Sequence, residues 1–269
     1  RSFAAIGLQM AGGVLVPLNT RFKGSEAGYI LRKSRARILV GVGEFLGARY
    51  LEMLRGQDLP ELERRVLLDG SDPQATSFEA FLAAGEVVPE AEARRLALTV
   101  RPDDLADILF TSGTTGRPKG VMTTHLQDLR GFEAWTEVIG LREGDRYLIV
   151  NPFFHAFGYK AGWLTCILRG ATILPHAVFD VPAVLERLGR ERVSVLPGPP
   201  AIYQSILMHP DRARYDLSSL RLAVTGAAAI PVELVRRMRD ELGFETVITG
   251  YGLTEASGIV TMCRHDDDP

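Results

Sequence analysis

Residues 220–252 read LRLAVTGAAAIPVELVRRMRDELGFETVITGYG. The apolar run Leu220–Thr225 has the length and composition of a buried strand. Three small residues, Gly226, Ala227 and Ala228, follow it. Pro231 suits the first helical position because its missing N–H would be unpaired there anyway. From Val232 to Leu242 the apolar residues recur at helical spacing, and Gly243 closes the run. Thr246–Thr249 is then a second strand, leading into Gly250-Tyr-Gly252. Strand, small-residue loop, helix and strand at these lengths imply a right-handed crossover within a parallel sheet.

The same alternation extends outward in both directions. Toward the N-terminus, strands are expected at 193–196, 171–175 and 146–150. Helices are expected at 200–208, 182–190, 160–168 (ending at Gly170) and 126–138. Further upstream come strands at 14–18, 37–41 and 65–69. Helices are expected there at 25–33, with Ser25 as N-cap, at 44–54, and at 77–84, opened by a Ser cap. The fold class is therefore α/β, with mostly parallel sheets flanked by helices on both faces. Pattern weakens over 85–104, through Gly85, Pro89 and Pro102. A subdomain boundary is expected there, dividing 1–102, a first α/β subdomain, from 103–269, a nucleotide-binding one. In parallel sheets ligands bind beyond the carboxyl ends of the strands, which directs attention to the loops after 108–110, 220–225 and 246–249.

Composition narrows the function classes. The 269 residues carry a formal net charge of −2, with 46% hydrophobic and 24% charged side chains. That balance gives no global pull toward nucleic acid or anionic membrane. No apolar run approaches the ~18 residues of a membrane span. Two cysteines, Cys166 and Cys263, make no disulfide framework, which fits a reducing, cytoplasmic setting. The chain starts at Arg1 and stops after RHDDDP without a terminating element, so it is expected to be part of something longer.

The loop after 108–110 is TSGTTGRPKG, residues 111–120. A Walker loop would need a second glycine at 118 and a hydroxyl residue after the lysine. Pro118 and Gly120 occupy those positions, so that loop is excluded. The composition still points to phosphate. Gly113, Gly116 and Gly120 allow backbone N–H groups to approach an anion. Thr111, Ser112, Thr114 and Thr115 offer hydroxyl donors, and Lys119 a mobile charge.

TSGTTGRPKG resembles the signature phosphate loop of the adenylate-forming superfamily, which includes acyl-CoA synthetases, peptide-synthetase adenylation domains and luciferases. Tyr251-Gly-Leu-Thr-Glu255 is similar to that superfamily's Y-G-x-T-E segment. NPFFHAF, 151–157, is similar to the segment lying between them. The resemblance implies that the chain is an incomplete N-terminal domain of such an enzyme. A carboxylic acid would attack the α-phosphate of ATP, releasing pyrophosphate, and coenzyme A would then displace AMP. A carboxylate is already ionised at neutral pH, so positioning and charge neutralisation would carry the first step.

By that resemblance Thr111, Ser112, Gly113, Thr114, Thr115, Gly116 and Lys119 hold the β- and γ-phosphates. Glu255 binds Mg2+, Thr254 contacts the α-phosphate, and Tyr251, between Gly250 and Gly252, stacks on adenine. Gly226, Ala227 and Ala228 pass close to adenine and the acyl chain, and His155 flanks the acyl carbonyl and the thiol entry. Phe153, Phe154, Phe157 and Tyr203 are expected around the acyl group. FGYKAG (157–162), LPGPP (196–200) and TMCR (261–264) resemble actinobacterial ligases that activate propanoate side chains on partly degraded steroid rings. Full members continue with a ribose-binding aspartate, a hinge and a lid domain carrying a catalytic lysine. The fragment alone is therefore expected to be inactive. A carrier-protein-loading adenylation domain and a catalytically silent ATP-binding module remain alternatives.

Overall fold

The computed structural model describes residues 2–111, 116–265 and 267. The chain divides into two compact units, Arg1–His125 and Leu126–Pro269. Its strands are β1 (Ile38–Gly41), β2 (Arg64–Leu67), β3 (Thr76–Ser77), β4 (Leu105–Thr111), β5 (Lys119–Thr124), β6 (Arg146–Ile149), β7 (Thr172–Pro175), β8 (Val195–Gly198), β9 (Leu222–Gly226), β10 (Thr246–Tyr251) and β11 (Thr261–Met262). The architecture is α/β, with parallel strands dominating, as the alternation predicts.

In the first unit, β1, β2 and β3 form a parallel three-stranded sheet. The stretch 14–18, expected as a strand, contributes one bridge, Leu15 beside Asp107. The helix expected from Ser25 begins one residue earlier, at Gly24. Lys23 takes the N-cap position because its N–H donates to Glu26 Oε2 at 2.9 Å. The helix expected over 44–54 shrinks to Tyr50–Met53. Leu46 and Gly47 both take positive φ there, and Phe45 pairs with Ala48 in a tight turn. Conversely, Glu90–Ala97 is helical. It buries no residue, so it has no apolar stripe to reveal it, and Arg94–Glu90 and Arg95–Glu92 pairs line its surface.

Strands β4 and β5 make an antiparallel hairpin of their own. The phosphate-loop sequence therefore joins antiparallel neighbours instead of leading from a parallel strand into a helix. The compact units part after His125, so this hairpin counts with the first unit, although the sequence pattern alone placed it with the second.

The second unit is built on a six-stranded sheet in the order β11-β10-β9-β8-β6-β7. The five strands β6 to β10 run parallel, and β11 pairs antiparallel with β10. Strand β9 is buried along its whole length, as a central parallel strand should be. Helix Val232–Leu242 presents Leu234, Met238 and Leu242 to the core at one-turn spacing. Helix Val181–Arg190 starts where Asp180 Oδ1 accepts from Ala183 N–H at 2.9 Å. Those two helices and Pro200–Met208 cover one face of the sheet, packing on Leu148, Leu196, Ala223 and Val247. Fully burying a leucine or valine side chain stabilises the fold by roughly 1.5–3 kcal/mol, and the single methyl of Ala223 by less.

On the other face, Gly162 lies against Ile149, and the Tyr147 hydroxyl donates to Ala161 O. The residues expected as one helix over 160–168 are a π-helix, Tyr159–Leu164, followed by an α-helix, Thr165–Arg169. Among the described residues no helix is long and apolar enough to cross a membrane.

Candidate functional site

In the first unit, Thr111 ends β4 directly opposite Lys119, the first residue of β5. The Thr111 hydroxyl reaches Lys119 O at 3.5 Å, closing the neck of the loop. Lys119 is exposed, and its ammonium forms no ion pair among the described residues. The loop's descending arm is anchored to helix Gly24–Lys33. Tyr29 Oη donates to Pro118 O at 3.3 Å, and the Arg117 guanidinium sits 5.6 Å from the Tyr29 ring centroid. Gly116 has a φ of +150°, open to glycine and little else. Gly120 is glycine for a packing reason: a Cβ there would stand 2.7 Å from Ile108 Cγ2. Ser112, Gly113, Thr114 and Thr115 lie outside the described residues.

In the second unit, the remaining candidates gather at the carboxyl edge of the six-stranded sheet. After β6 the chain passes through Asn151, whose Nδ2 donates to Pro197 O at 3.2 Å and ties this loop to the end of β8. Phe153, Phe154 and Phe157 are half-buried along it. His155 caps the short helix Ala156–Gly158, its Nδ1 accepting from Phe157 N–H at 3.1 Å. In the neutral ring this places the proton on Nε2. Enclosure by the surrounding chain lowers the pKa of His155, although part of its ring reaches the surface.

β9 delivers Gly226 beside Gly250 of β10. A side chain on Gly226 would approach Gly250 O to 2.5 Å, so the two strands can sit at this register only with glycine. Ala227 then takes a φ of +64°, a left-handed conformation uncommon for alanine. Ala227 and Ala228 are both exposed. Beyond β10, Tyr251 is 58% exposed, with its ring open to solvent instead of in the core. Gly252, Thr254 and Glu255 continue into a single 3₁₀ turn, Thr254–Ala256. Gly258 N–H returns to Leu253 O at 3.0 Å, and Val260 N–H to Tyr251 O at 3.0 Å, closing a compact loop. That loop rests on the His155 segment through Gly258 and Ala156. The structure thus brings His155, Gly226, Ala227, Ala228, Gly250, Tyr251, Gly252, Thr254 and Glu255 to one edge of one sheet.

Glu255 is exposed and forms neither ion pair nor hydrogen bond among the described residues. Magnesium takes few protein carboxylates and completes its shell with water and phosphate oxygens, so one unpaired carboxylate at a strand edge fits it. Among the described residues no group of three or more His, Cys, Asp and Glu could hold a metal by itself.

Tyr203 stands elsewhere than expected. It is fully buried, its hydroxyl donating to Leu196 O at 2.7 Å and Val224 O at 3.2 Å. It is a core residue pinning β8 to β9, not an acyl-pocket wall. His176 is half-buried against Arg187, with Nδ1 3.1 Å from Nη1. Gly258 escaped sequence reasoning; its signal was the Ser257-Gly258 pair after Y-G-L-T-E, where both residues take positive φ.

Comparison with known proteins adds a second line of evidence. A family model described as AMP-binding enzyme matches residues 2–269. The chain is 53% identical, over 99% of its length, to a (7a-methyl-1,5-dioxo-octahydro-1H-inden-4-yl)propanoyl:CoA ligase of Rhodococcus jostii, covering 53% of that protein. It is 49% identical, over 98% of its length, to the ligase of the same name from Mycobacterium tuberculosis, covering 52% of it. The chain therefore spans about half the length of the curated relatives it matches. Among solved structures it is similar to the anthranilate CoA ligase AuaEII in complex with anthranoyl-AMP, with a TM-score of 0.81 and 31% identity, over 96% of this chain and 49% of that one. The N-terminal domain of FACL13 from Mycobacterium tuberculosis matches with a TM-score of 0.82 and 28% identity, over 98% of this chain and 62% of that one.

Proposed function

The chain belongs to the AMP-binding enzyme family, and from that premise we propose that it is the nucleotide- and acid-binding part of an ATP-dependent acyl-CoA ligase acting in the cytoplasm. The observation that carries the proposal is the carboxyl edge of the six-stranded sheet. There the open Tyr251 ring and the unpaired Glu255 carboxylate follow one strand, and the strained Ala227 follows its neighbour.

In the first step a carboxylate oxygen attacks the α-phosphorus of ATP. The new O–P bond forms as the bond to pyrophosphate breaks, giving acyl-adenylate. Lys119 and the hydroxyls of Thr111, Ser112, Thr114 and Thr115 neutralise the departing charge, together with N–H groups near Gly113 and Gly116. Tyr251 stacks on adenine, backed by Gly250 and Gly252, with Gly226, Ala227 and Ala228 beside the base. Thr254 donates to the α-phosphate. Glu255 holds magnesium, which when bound supplies further charge neutralisation at the phosphates. In the second step the coenzyme A thiol, having lost its proton to water, attacks the acyl carbon as thiolate; the C–S bond forms as the acyl C–O bond to AMP breaks, and AMP leaves with that oxygen on its phosphate. His155, neutral with its Nε2 proton, donates toward the acyl oxygen and admits the thiol.

The acid is proposed to be a bulky fused-ring propanoate, on the strength of the relatives' printed substrate and the half-buried Phe153, Phe154 and Phe157. The test is acid-dependent exchange of labelled pyrophosphate into ATP by the full-length enzyme. Exchange should be lost, by about a hundredfold or more, in Lys119→Ala and Glu255→Ala. ATP binding without exchange across a broad acid panel, fused-ring propanoates included, would overturn it. Preference for a phosphopantetheinyl protein over coenzyme A would reassign the acceptor.

A further inference from the structure

Lys160 is completely buried, an unusual place for a lysine. Its Nζ lies 2.7 Å from Oδ1 of Asp128, which is itself 4% exposed at the side chain. Lys160 belongs to the π-helix Tyr159–Leu164, and Asp128 to helix His125–Val138. Removing both charges from water carries a desolvation cost that close pairing only offsets, and an apolar pair of similar volume is often as stable. Stability alone therefore does not account for the pair.

Its location does. π-Helical turns are rare and concentrate at functional sites. Side chains hold this one in place: Thr165 Oγ1 donates to Lys160 O at 2.7 Å, the Tyr147 hydroxyl donates to Ala161 O, and Lys160 grips Asp128. Its first residue is bonded directly to the candidate site, since Tyr159 N–H donates to His155 O at 2.9 Å. The phase of the π-helix thus sets the direction in which His155 and Phe157 leave it.

We propose that Asp128 and Lys160 form a positioning pair that locks the π-helix and thereby orients His155 and Phe157 toward the acyl group; this rests on the ligase reading above. Lys160 is a positioning residue and touches no substrate.

The test uses the full-length enzyme with Lys160→Met, Asp128→Leu and the double variant Lys160→Met/Asp128→Leu. Each single variant removes one partner of a buried ion pair and should lower Tm. The double variant removes both charges together and, folded, should keep a kcat/KM for the acid about tenfold to a hundredfold below wild type, with the KM for ATP unchanged. A second readout needs no activity: the ring 15N shifts of His155, assigned by their loss in His155→Gln. They should report the Nδ1-acceptor tautomer in the wild type and a changed Nδ1 signal in the double variant. Wild-type kinetics, or wild-type His155 shifts, in a folded double variant would overturn the proposal. If the wild type itself shows no exchange, the ligase reading fails, and the His155 shifts still decide the positioning role. Should the double variant fail to fold, Asp128→Asn, which keeps an acceptor without the charge, takes its place: lowered kcat/KM with a changed Nδ1 signal supports the proposal, and wild-type values of either overturn it.

Discussion

Gly258 packs directly on Ala156: a Cβ on Gly258 would stand 2.8 Å from the Ala156 methyl and 3.4 Å from the Phe132 ring. The loop after β10 and the loop after β6 are thus seated on one another through a missing side chain. Gly258 also has a φ of +111°, where an L side chain is strained. Gly258→Ala is expected to cost about 1–3 kcal/mol and to raise the KM for the acid by displacing the His155 segment. Gly131 is the control, with nothing within 4 Å of its would-be Cβ inside helix His125–Val138. Gly131→Ala should stabilise by roughly 0.5–1 kcal/mol. Thermal unfolding of the two variants side by side checks both signs.

Tyr203 offers a way to separate core from pocket. Its hydroxyl bridges carbonyls of β8 and β9. Tyr203→Phe should cost about 1–3 kcal/mol by leaving those buried carbonyls short of a donor, while acid selectivity stays as in the wild type. Phe154→Ala should do the reverse, changing the ratio of kcat/KM between a fused-ring and a linear acid. Equal selectivity changes in both variants would return Tyr203 to the pocket wall.

The histidines set an expected pH dependence. Desolvation lowers the pKa of His155, and desolvation aided by Arg187 lowers that of His176, from an unfolded value of about 6.5. Below that value the unfolded chain takes up protons before the folded one does. The two groups' full contribution to stability is present above pH 6.5 and is lost as pH falls through their lower folded values. Tm measured from pH 7.5 down to 5 should decline, and His176→Gln should flatten the decline.

Thiol reagents should distinguish the two cysteines. Burial, reinforced by Asp145, pushes the Cys166 thiol up to about 12, whereas Cys263 is exposed beside Thr249. Peptide mapping after alkylation of the native protein at pH 8 should find Cys263 modified and Cys166 intact. Denaturant should expose both.

Much of this was legible where local and tertiary preferences agree. Helix Pro200–Met208 follows the expected residues, and β9 with helix Val232–Leu242 departs from expectation by at most two residues. Buried periodicity and proline punctuation act there on the same segment. Legibility failed where a contact overrode the local pattern. Ser25 looks like a cap, but Glu26 reaches Lys23 N–H first. The π-helix has no propensity signal, since side chains from β6 and from helix His125–Val138 impose it. Tyr203 was expected around the acyl group, and only its full burial and its hydroxyl's bonds to Leu196 O and Val224 O show that it serves the core. At the edge of the six-stranded sheet the grouping was readable because glycine, tyrosine and glutamate stand there in a fixed order; Gly258 was not, because what matters there is the side chain it lacks.

The β4–β5 hairpin has one more consequence. Phosphate loops that run into a helix borrow the helix's N-terminal dipole, a fixed field. Here the chain leaves through β5, and sheets carry little net dipole. The exposed Lys119 ammonium and Arg117 guanidinium are then formal charges on offer at the hairpin's neck, and exposed charges are open to counterions. Such a charge is screened over about 8 Å at physiological salt. Ionic strength should therefore tune this protein's hold on nucleotide more steeply than it would tune a helix-capped site.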